Sequence, residues 1–172
     1  MSKLTRLLLV TTLLLGCVGC DQTTKVVARA HLSDGPTITF LHDTVRLTYA
    51  ENPGAFLGLG ASLSKLVRTL ILQIGVSLLT MGLVLSAALW PRLTKAQVIA
   101  LTLLGASGLG NLLDRILYDG RVTDFLNFGI GSLRTGIFNV ADVFGVVGVA
   151  LLLVHRSVAA PPSSALQRTG PP

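Results

Sequence analysis

Residues 136–154, GIFNVADVFGVVGVALLLV, have the length and apolar character of a membrane span, yet they contain one acid. Asp142 lies near the start of this stretch and is followed by twelve residues without a charge. Placing a carboxylate in hydrocarbon is costly, so an acid within a span predicts a functional site and needs a partner. The best partner is Asp124, because the connection 126–137 is short enough to fold back and bring both carboxylates to the mouth of the span.

The composition predicts an integral membrane protein. Of the 172 residues, 51% are hydrophobic and 13% are charged, and the mean hydropathy is +0.70. In soluble domains about a quarter of the residues are charged. A span needs ~20 mostly apolar residues, and four windows qualify: 4–20, 67–90, 96–113 and 136–154.

We therefore expect an all-α membrane protein with four transmembrane helices in a single domain, residues 1–156. Extracytoplasmic segments are predicted for residues 21–66 and 114–135. The proline-rich tail, 157–172, is predicted to be disordered and cytoplasmic.

The distribution of charge predicts the orientation. With a cytoplasmic N-terminus, the inner side carries six cations and no acid: Lys3, Arg6, Arg92, Lys95, Arg156 and Arg168. All eight acids then fall outside or near the outer ends of spans, together with eight Lys and Arg. The positive-inside rule therefore predicts that both termini are cytoplasmic. The high pI follows from this topology and indicates no nucleic-acid partner.

A small extracytoplasmic hairpin is predicted where the apolar pattern changes to a period of two. The alternating positions are Ile38 and Phe40, then Val45, Leu47 and Tyr49, with a turn at His42-Asp43. The next stretch, ENPGAF at 51–56, breaks the strand and includes Asn52. It is either a surface loop that faces a substrate or an ordinary connector.

The third predicted span ends in GNLLDR, residues 110–115. On a helix, Asn111, Asp114 and Arg115 share one face, because they lie at i, i+3 and i+4. We expect Asp114 and Arg115 to neutralise each other locally. The following Asp119-Gly120 is typical of a hairpin turn and leads to Asp124.

The polar residues of three spans are predicted to lie in one layer. A helix rises ~1.5 Å per residue, so height above the cytoplasmic end of each span can be estimated. The residues at ~20 to ~24 Å are Asp21, Asn111, Asn139 and Asp142. Four spans around such a layer, roofed by a hairpin and a loop, describe a cleft that opens to the outer leaflet.

Two carboxylates within a few ångströms do not both ionise cheaply, so one holds a proton while the other polarises a water molecule. This is the chemistry of aspartic proteases. One alternative to a catalytic dyad is that the acid is structural and pairs with an Arg of another helix. A proton relay in a transporter is another, although the chain has no internal repeat.

A serine hydrolase and a metal enzyme are less favoured. Residues 105–108, GASG, resemble the nucleophile motif of rhomboid proteases, but Ser107 lies ~16 Å above the inner end of its helix, where His155 is expected. The histidines His31, His42 and His155 lack metal-ligand spacing, so we expect no metal and no cofactor. Residues 14–17 also look like a lipobox, although Cys17 and Cys20 are more simply small fillers of a span.

Five stretches, taken in order, closely resemble the lipoprotein signal peptidases, also called signal peptidase II. They are DQTTK at 21–25, ENPGAF at 51–56, GNLLDR at 110–115, VTDF at 122–125 and FNVAD at 138–142. The resemblance implies a monomeric aspartyl endopeptidase of the bacterial inner membrane, with its active site near the periplasmic face. It would cleave diacylglyceryl-modified prolipoproteins before the lipidated cysteine, in contact with membrane lipid, and would be a target of globomycin.

The resemblance also implies roles for individual residues. Asp124 and Asp142 would form the catalytic dyad. The substrate would be positioned by four polar residues: Asn52, Asn111, Arg115 and Asn139. Support would come from Asp114 and, at the outer end of the first helix, from Asp21 and Lys25.

Overall fold

The computed structural model of the protein describes residues 1–54, 60 and 62–159, with side chains described as far as His155. Residues 55 and 56 of the predicted surface loop lie outside this part of the chain, as does 160–172 of the predicted tail. The last helix extends to Ala159, so the tail prediction is wrong for its first three residues, which are helical.

Four helices form most of the molecule: α1 (Lys3–Leu32), α2 (Lys65–Leu89), α3 (Lys95–Leu117) and α4 (Val140–Ala159). The first three are long and apolar enough to cross a membrane. The apolar part of α4, Val140–His155, is shorter, so a fourth span stays a prediction. Within α2, Thr69–Gly75 is π-helical.

α1 does not end near Cys20, where the predicted span ends, but continues to Leu32. The polar cluster 21–25 therefore lies inside a helix. Its charges are tolerated there because Asp21 and Lys25, one turn apart, form an ion pair of 2.9 Å.

The predicted fourth span is also too long at its start. Residues 136–139 are not helical, and the main chain of Phe138 forms an antiparallel bridge with Leu126. The Phe138 N–H donates to the Leu126 carbonyl at 2.9 Å, and the Leu126 N–H donates back at 2.8 Å. The chain thus enters α4 along the sheet, which fixes where the helix begins.

The sheet has four antiparallel strands in the order of the chain: β1 (Ile38–Phe40), β2 (Val45–Asn52), β3 (Val122–Ile130) and β4 (Leu133–Arg134). The predicted hairpin is confirmed as β1 and β2. β3 and β4 were not predicted as strands. The register of β2 with β3 places Ala50 opposite Asp124 and Asn52 opposite Val122, so the strand pairing carries Asn52 to the site.

The predicted turn at Asp119-Gly120 is present, but it joins a helix to a strand. Asp119 has φ 50° and Gly120 has φ 83°, both in the left-handed region. Glycine adopts this conformation without a steric cost. The reversal brings the chain from the end of α3 directly into β3 and therefore to Asp124.

Gly110 allows α1, α3 and α4 to approach closely beneath the sheet. A Cβ at this position would lie 2.6 Å from Asp21 Oδ2 and 3.3 Å from the Cβ of Ala141. Any larger residue would push apart the helices that carry the polar layer.

At the opposite end of the helices, Arg6 is buried rather than free. Its guanidinium donates to the carbonyls of Trp90, Pro91 and Leu93. It thereby binds three carbonyls of the chain that follows α2 and ties the start of α1 to this connection.

Candidate active site

Asp124 and Asp142, the predicted dyad, are joined through Asn139. The Asn139 side chain, which is fully buried, donates to Asp124 Oδ1 at 2.6 Å. Its main-chain N–H donates to Asp142 Oδ2 at 3.2 Å. One residue therefore binds both acids, and the fold brings the two carboxylates to the same place as the sequence predicted.

A capping box at the start of α4 sets the position of Asp142. Asn139 precedes the helix, and its Oδ1 accepts the main-chain N–H of Asp142 at 3.1 Å, while the Asp142 carboxylate accepts the N–H of Asn139. This reciprocal pair at N-cap and N3 satisfies two helix-end donors. Asp21 adds a third bond by accepting the Ala141 N–H at 2.8 Å. An acid near a helix N-terminus is also favoured by the helix dipole.

Asp124 lies on β3 and is 2% exposed. Asn52 donates to its Oδ2 at 2.9 Å, so together with Asn139 both carboxylate oxygens have a donor. Burial raises the pKa of Asp124 from 3.8 to about 6, because desolvation disfavours the charged form more than the two amide donors favour it. The nearby Asp142 charge acts in the same direction as burial.

Asn111 completes the surroundings of Asp142. Its Nδ2 donates to Asp142 Oδ1 at 2.9 Å. Its Oδ1 accepts from Lys25 Nζ at 2.8 Å and from Asn139 Nδ2 at 3.0 Å. Because an ammonium only donates, Lys25 fixes which end of the amide faces Asp142.

Lys25 belongs to a buried charge network that connects α1, α3 and β3. Asp21, Lys25 and Asp114 are completely buried. Lys25 pairs with Asp21 at 2.9 Å and with Asp114 at 3.4 Å, and Arg29 pairs with Asp114 at 3.0 Å. Asp114 also accepts the Thr123 N–H at 2.9 Å, which anchors the strand residue next to Asp124.

The expectation that Asp114 and Arg115 neutralise each other is wrong. Asp114 pairs with the cations of α1, as described above. Arg115 instead donates to the carbonyl of Gly54 at 2.6 Å and to the carbonyl of Asn111 at 3.1 Å. Arg115 therefore links α3 to the chain that follows β2, above the dyad.

Two apolar grooves meet at Asp142. The larger, of about 640 Å³, lies between α2, α3 and α4 and extends from Asn111 and Arg115 down to Leu153. The smaller, of about 350 Å³, lies between the sheet and α4, with Phe128 and Phe138 in its wall. The acid is therefore accessible from two apolar surfaces.

Comparison with known proteins identifies the family. The family described as "Signal peptidase (SPase) II" matches residues 13–158. The chain belongs to the signal peptidase II family. It is thus a membrane protease of lipoprotein processing, as the resemblance predicted.

Relatives agree with this assignment. The chain is 34% identical over 139 residues to a "Lipoprotein signal peptidase" of Bifidobacterium longum (strain DJO10A), covering 78% of this chain and 70% of the relative. It is 36% identical over 135 residues to a protein of the same name from Syntrophus aciditrophicus (strain SB), covering 78% and 83%. A solved bacterial membrane enzyme, determined in meso at 2.3 Å resolution, has a TM-score of 0.75 at 25% identity, with 95% and 94% of the two chains covered.

The structure keeps Ser107 and His155 apart, in different contacts. Ser107 packs against α4, where a Cβ at Gly145 would lie 2.8 Å from its Oγ. His155 instead lies within 3.3 Å of the Thr94 hydroxyl. Among the residues that the structure describes, no three His, Cys, Asp or Glu are grouped to hold a metal.

Three residues that hold the site were not predicted from the sequence: Gln22, Arg29 and Thr123. Gln22 Nε2 lies 3.1 Å from Asp21 Oδ2 and 3.1 Å from Asp114 Oδ1. Arg29 donates to Thr123 Oγ1 at 2.8 Å as well as pairing with Asp114. The spacing of Asp21, Lys25 and Arg29 at i, i+4 and i+8 was a usable indication of one charged helix face.

Proposed function

We propose that the chain is an intramembrane aspartyl endopeptidase that removes signal peptides from diacylglyceryl-modified prolipoproteins, cleaving before the lipidated cysteine. The observation that carries this proposal is the joint binding of Asp124 and Asp142 by Asn139. Two acids held by one residue, Asp124 buried and Asp142 half-buried, suit a dyad that shares a proton and titrates as a unit.

In this mechanism the ionised carboxylate takes a proton from a water molecule, whose oxygen attacks the carbonyl carbon of the scissile bond. The protonated carboxyl gives its proton to the carbonyl oxygen. When the tetrahedral intermediate collapses, the C–N bond breaks and the nitrogen of the lipidated cysteine takes up the proton that the dyad received from water. One hydroxyl of the intermediate returns its proton to the other carboxylate, which leaves a carboxylic acid product and restores the singly protonated dyad. The raised pKa of Asp124 supports this scheme, because a dyad near neutral pH must retain one proton.

The four amide and guanidinium side chains around the dyad have supporting roles. Asn52, Asn111 and Asn139 donate to the two carboxylates and hold them in position. Arg115 is held by the carbonyls of Gly54 and Asn111, where its charge stabilises the developing oxyanion. Asp21, Lys25 and Asp114, which belong to the buried charge network, help to position these residues.

The two apolar grooves match the apolar parts of a lipidated substrate. A signal peptide brings an apolar helix and the modified cysteine brings two acyl chains, so one substrate has two apolar parts on either side of the scissile bond. Entry is lateral, from the outer leaflet of the inner membrane. Globomycin-like cyclic peptides would occupy the same grooves and compete with the substrate.

The proposed topology is one domain, residues 1–156, that works as a monomer with α4 as its fourth span. Both termini face the cytoplasm and the dyad lies near the periplasmic face. The positive-inside distribution and the position of the polar layer support this arrangement.

The test is cleavage by the purified protein in detergent, with a chelator present. A diacylglyceryl-modified prolipoprotein and the same unmodified prolipoprotein are compared. We expect cleavage of the modified form, on the amino side of its cysteine, and about hundredfold slower cleavage of the unmodified form, since binding energy from the acyl chains is lost. Equal cleavage of both, or cleavage that stops with the chelator, would contradict the proposal.

A further inference from the structure

A polar cavity of about 370 Å³ lies above the dyad, between the start of α2 and the turn that follows α3. Three cations line it: Lys65, Arg68 and Arg115. Asp119 is the one acid in the described lining, and it pairs with Lys65 at 2.8 Å, where both side chains are exposed to solvent. The described lining therefore has an excess of positive charge.

The cavity adjoins the larger apolar groove. Both are lined by Leu72 and Arg115, so Arg115 lies at the junction. Arg115 is 7% exposed, and its Nε has no hydrogen-bond partner among the described residues. A buried donor without a partner is costly, which indicates a ligand group that approaches from the cavity or the groove.

The π-helical part of α2 contributes to the same wall. Thr69, Leu72 and Gln73 all come from this segment and line the cavity. π-helical turns occur frequently at functional sites. Gln73 is the one amide side chain within α2, and it faces the turn at Gly120, where a Cβ would lie 3.7 Å from its Nε2.

The apolar groove, the dyad and the cationic cavity follow one another along the molecule. The signal peptide, the scissile bond and the mature chain follow one another in the same order along a substrate. The apolar groove extends over ~16 Å of α4, from Leu153 to Asp142. An apolar signal peptide fits below the dyad, so the chain after the scissile bond leaves upward past Arg115. We propose that the cationic cavity is a subsite for the first residues of the mature lipoprotein and favours acidic side chains there. This inference rests on the proposed function.

The test uses three diacylglyceryl-modified prolipoproteins that differ only in the two residues after the modified cysteine, which are both Asp, both Asn or both Lys. The kcat/KM of each is measured with the wild type and with the double variant Lys65→Gln/Arg68→Gln. Arg92→Gln, an exposed cation beyond the other end of α2, is the matched control. Arg68→Lys keeps the charge and tests whether a change in preference comes from charge rather than from altered folding.

We expect the wild type to cleave the Asp substrate about threefold faster than the Asn substrate and the Lys substrate more slowly still, a difference that shrinks as salt is raised. The ratio of kcat/KM for the Asp substrate to kcat/KM for the Asn substrate should fall to about one in the double variant. It should stay as in wild type for Arg92→Gln and Arg68→Lys. A wild type without preference, or a double variant that keeps it, would overturn the inference.

The same cations would also suit the phosphate of an anionic lipid, so the assay is repeated in phosphatidylglycerol and in phosphatidylcholine micelles. An effect of the double variant that requires phosphatidylglycerol and is equal for all three substrates would identify a lipid headgroup site and overturn the subsite. If the wild type cleaves none of the three substrates, the proposed function itself fails, and the subsite with it.

Discussion

Asn139 and Asp142 hydrogen-bond to each other twice, through the N–H of Asp142 to Asn139 Oδ1 at 3.1 Å and the N–H of Asn139 to Asp142 Oδ2 at 3.2 Å. The same Asn139 side chain donates to Asp124 at 2.6 Å. The start of a helix and the geometry of a dyad are thus determined by one residue. Local helix capping and catalytic positioning can be separated by substitution at this residue.

Asn139→Ser should separate the two roles. A serine oxygen still accepts at the helix start, so the cap is largely retained, but the donors to Asp124 and Asn111 are lost. We expect kcat/KM to fall at least about tenfold while the thermal midpoint stays near that of wild type. Asn139→Ala, which also removes the cap, should lower the midpoint by an amount that corresponds to about 1 kcal/mol. Full activity of the serine variant would contradict a positioning role.

The pKa of Asp124 predicts a pH dependence of stability. Its folded value of about 6 lies above the ordinary 3.8, so the folded state binds the proton more tightly than the unfolded state. The stabilisation is therefore fully present below pH ~4 and is lost as the pH rises through about 6. Measured between pH 4 and pH 7 in detergent, the thermal midpoint of wild type should fall relative to that of Asp124→Asn. A difference that does not change with pH would show that Asp124 has an ordinary pKa.

Substitution of Asn52 provides an independent test of the pKa of the Asp124 carboxyl. Its amide donates to Asp124 Oδ2 at 2.9 Å and favours the charged form. Asn52→Leu removes that donor, so the pKa of Asp124 should rise further. The pH profile of kcat/KM should then keep activity to higher pH on its alkaline side, even if the maximum is lower. A shift toward acid would contradict this arrangement.

Lys25 should be among the most sensitive positions for stability. Lys25→Met leaves Asp21 and Asp114 buried, with one of their cations removed. Breaking a buried pair in this way costs about 3–5 kcal/mol. Arg46→Met removes a solvent-exposed partner of Asp43 and should have a much smaller effect, because solvent screens such a pair. Thermal midpoints of the two variants, measured side by side, should differ clearly, and equal values would contradict a structural role for the buried network.

Spacing along the chain predicted the parts of the site that depend on helix geometry. Asn111 and Asp142 were placed at one height by counting residues, and they are hydrogen-bonded at 2.9 Å. The β1–β2 hairpin followed from a period of two. Both predictions rely on regular repeats, which the sequence shows directly.

The errors have a common physical cause, which is that partners distant in sequence decide where a charge is tolerated. α1 continues through Lys25 because Asp114, from another helix, helps to neutralise that cation. Arg115 turns away from Asp114 toward the carbonyl of Gly54 for the same reason. The start of α4 was misplaced because the apolar window 136–154 was interpreted as one helix, whereas Asn139 and Asp142 form a capping box that begins the helix at Val140.

The central claim is that Asp124 and Asp142 act together on the scissile bond. The most direct measurement is single-turnover cleavage of a diacylglyceryl-modified prolipoprotein by wild type, Asp124→Asn, Asp142→Asn and, as a control, Asp34→Asn, an exposed acid after α1. We predict that each dyad variant loses at least about a thousandfold in rate while it still binds the substrate, and that Asp34→Asn cleaves as wild type does. Substantial cleavage by either dyad variant would contradict the account.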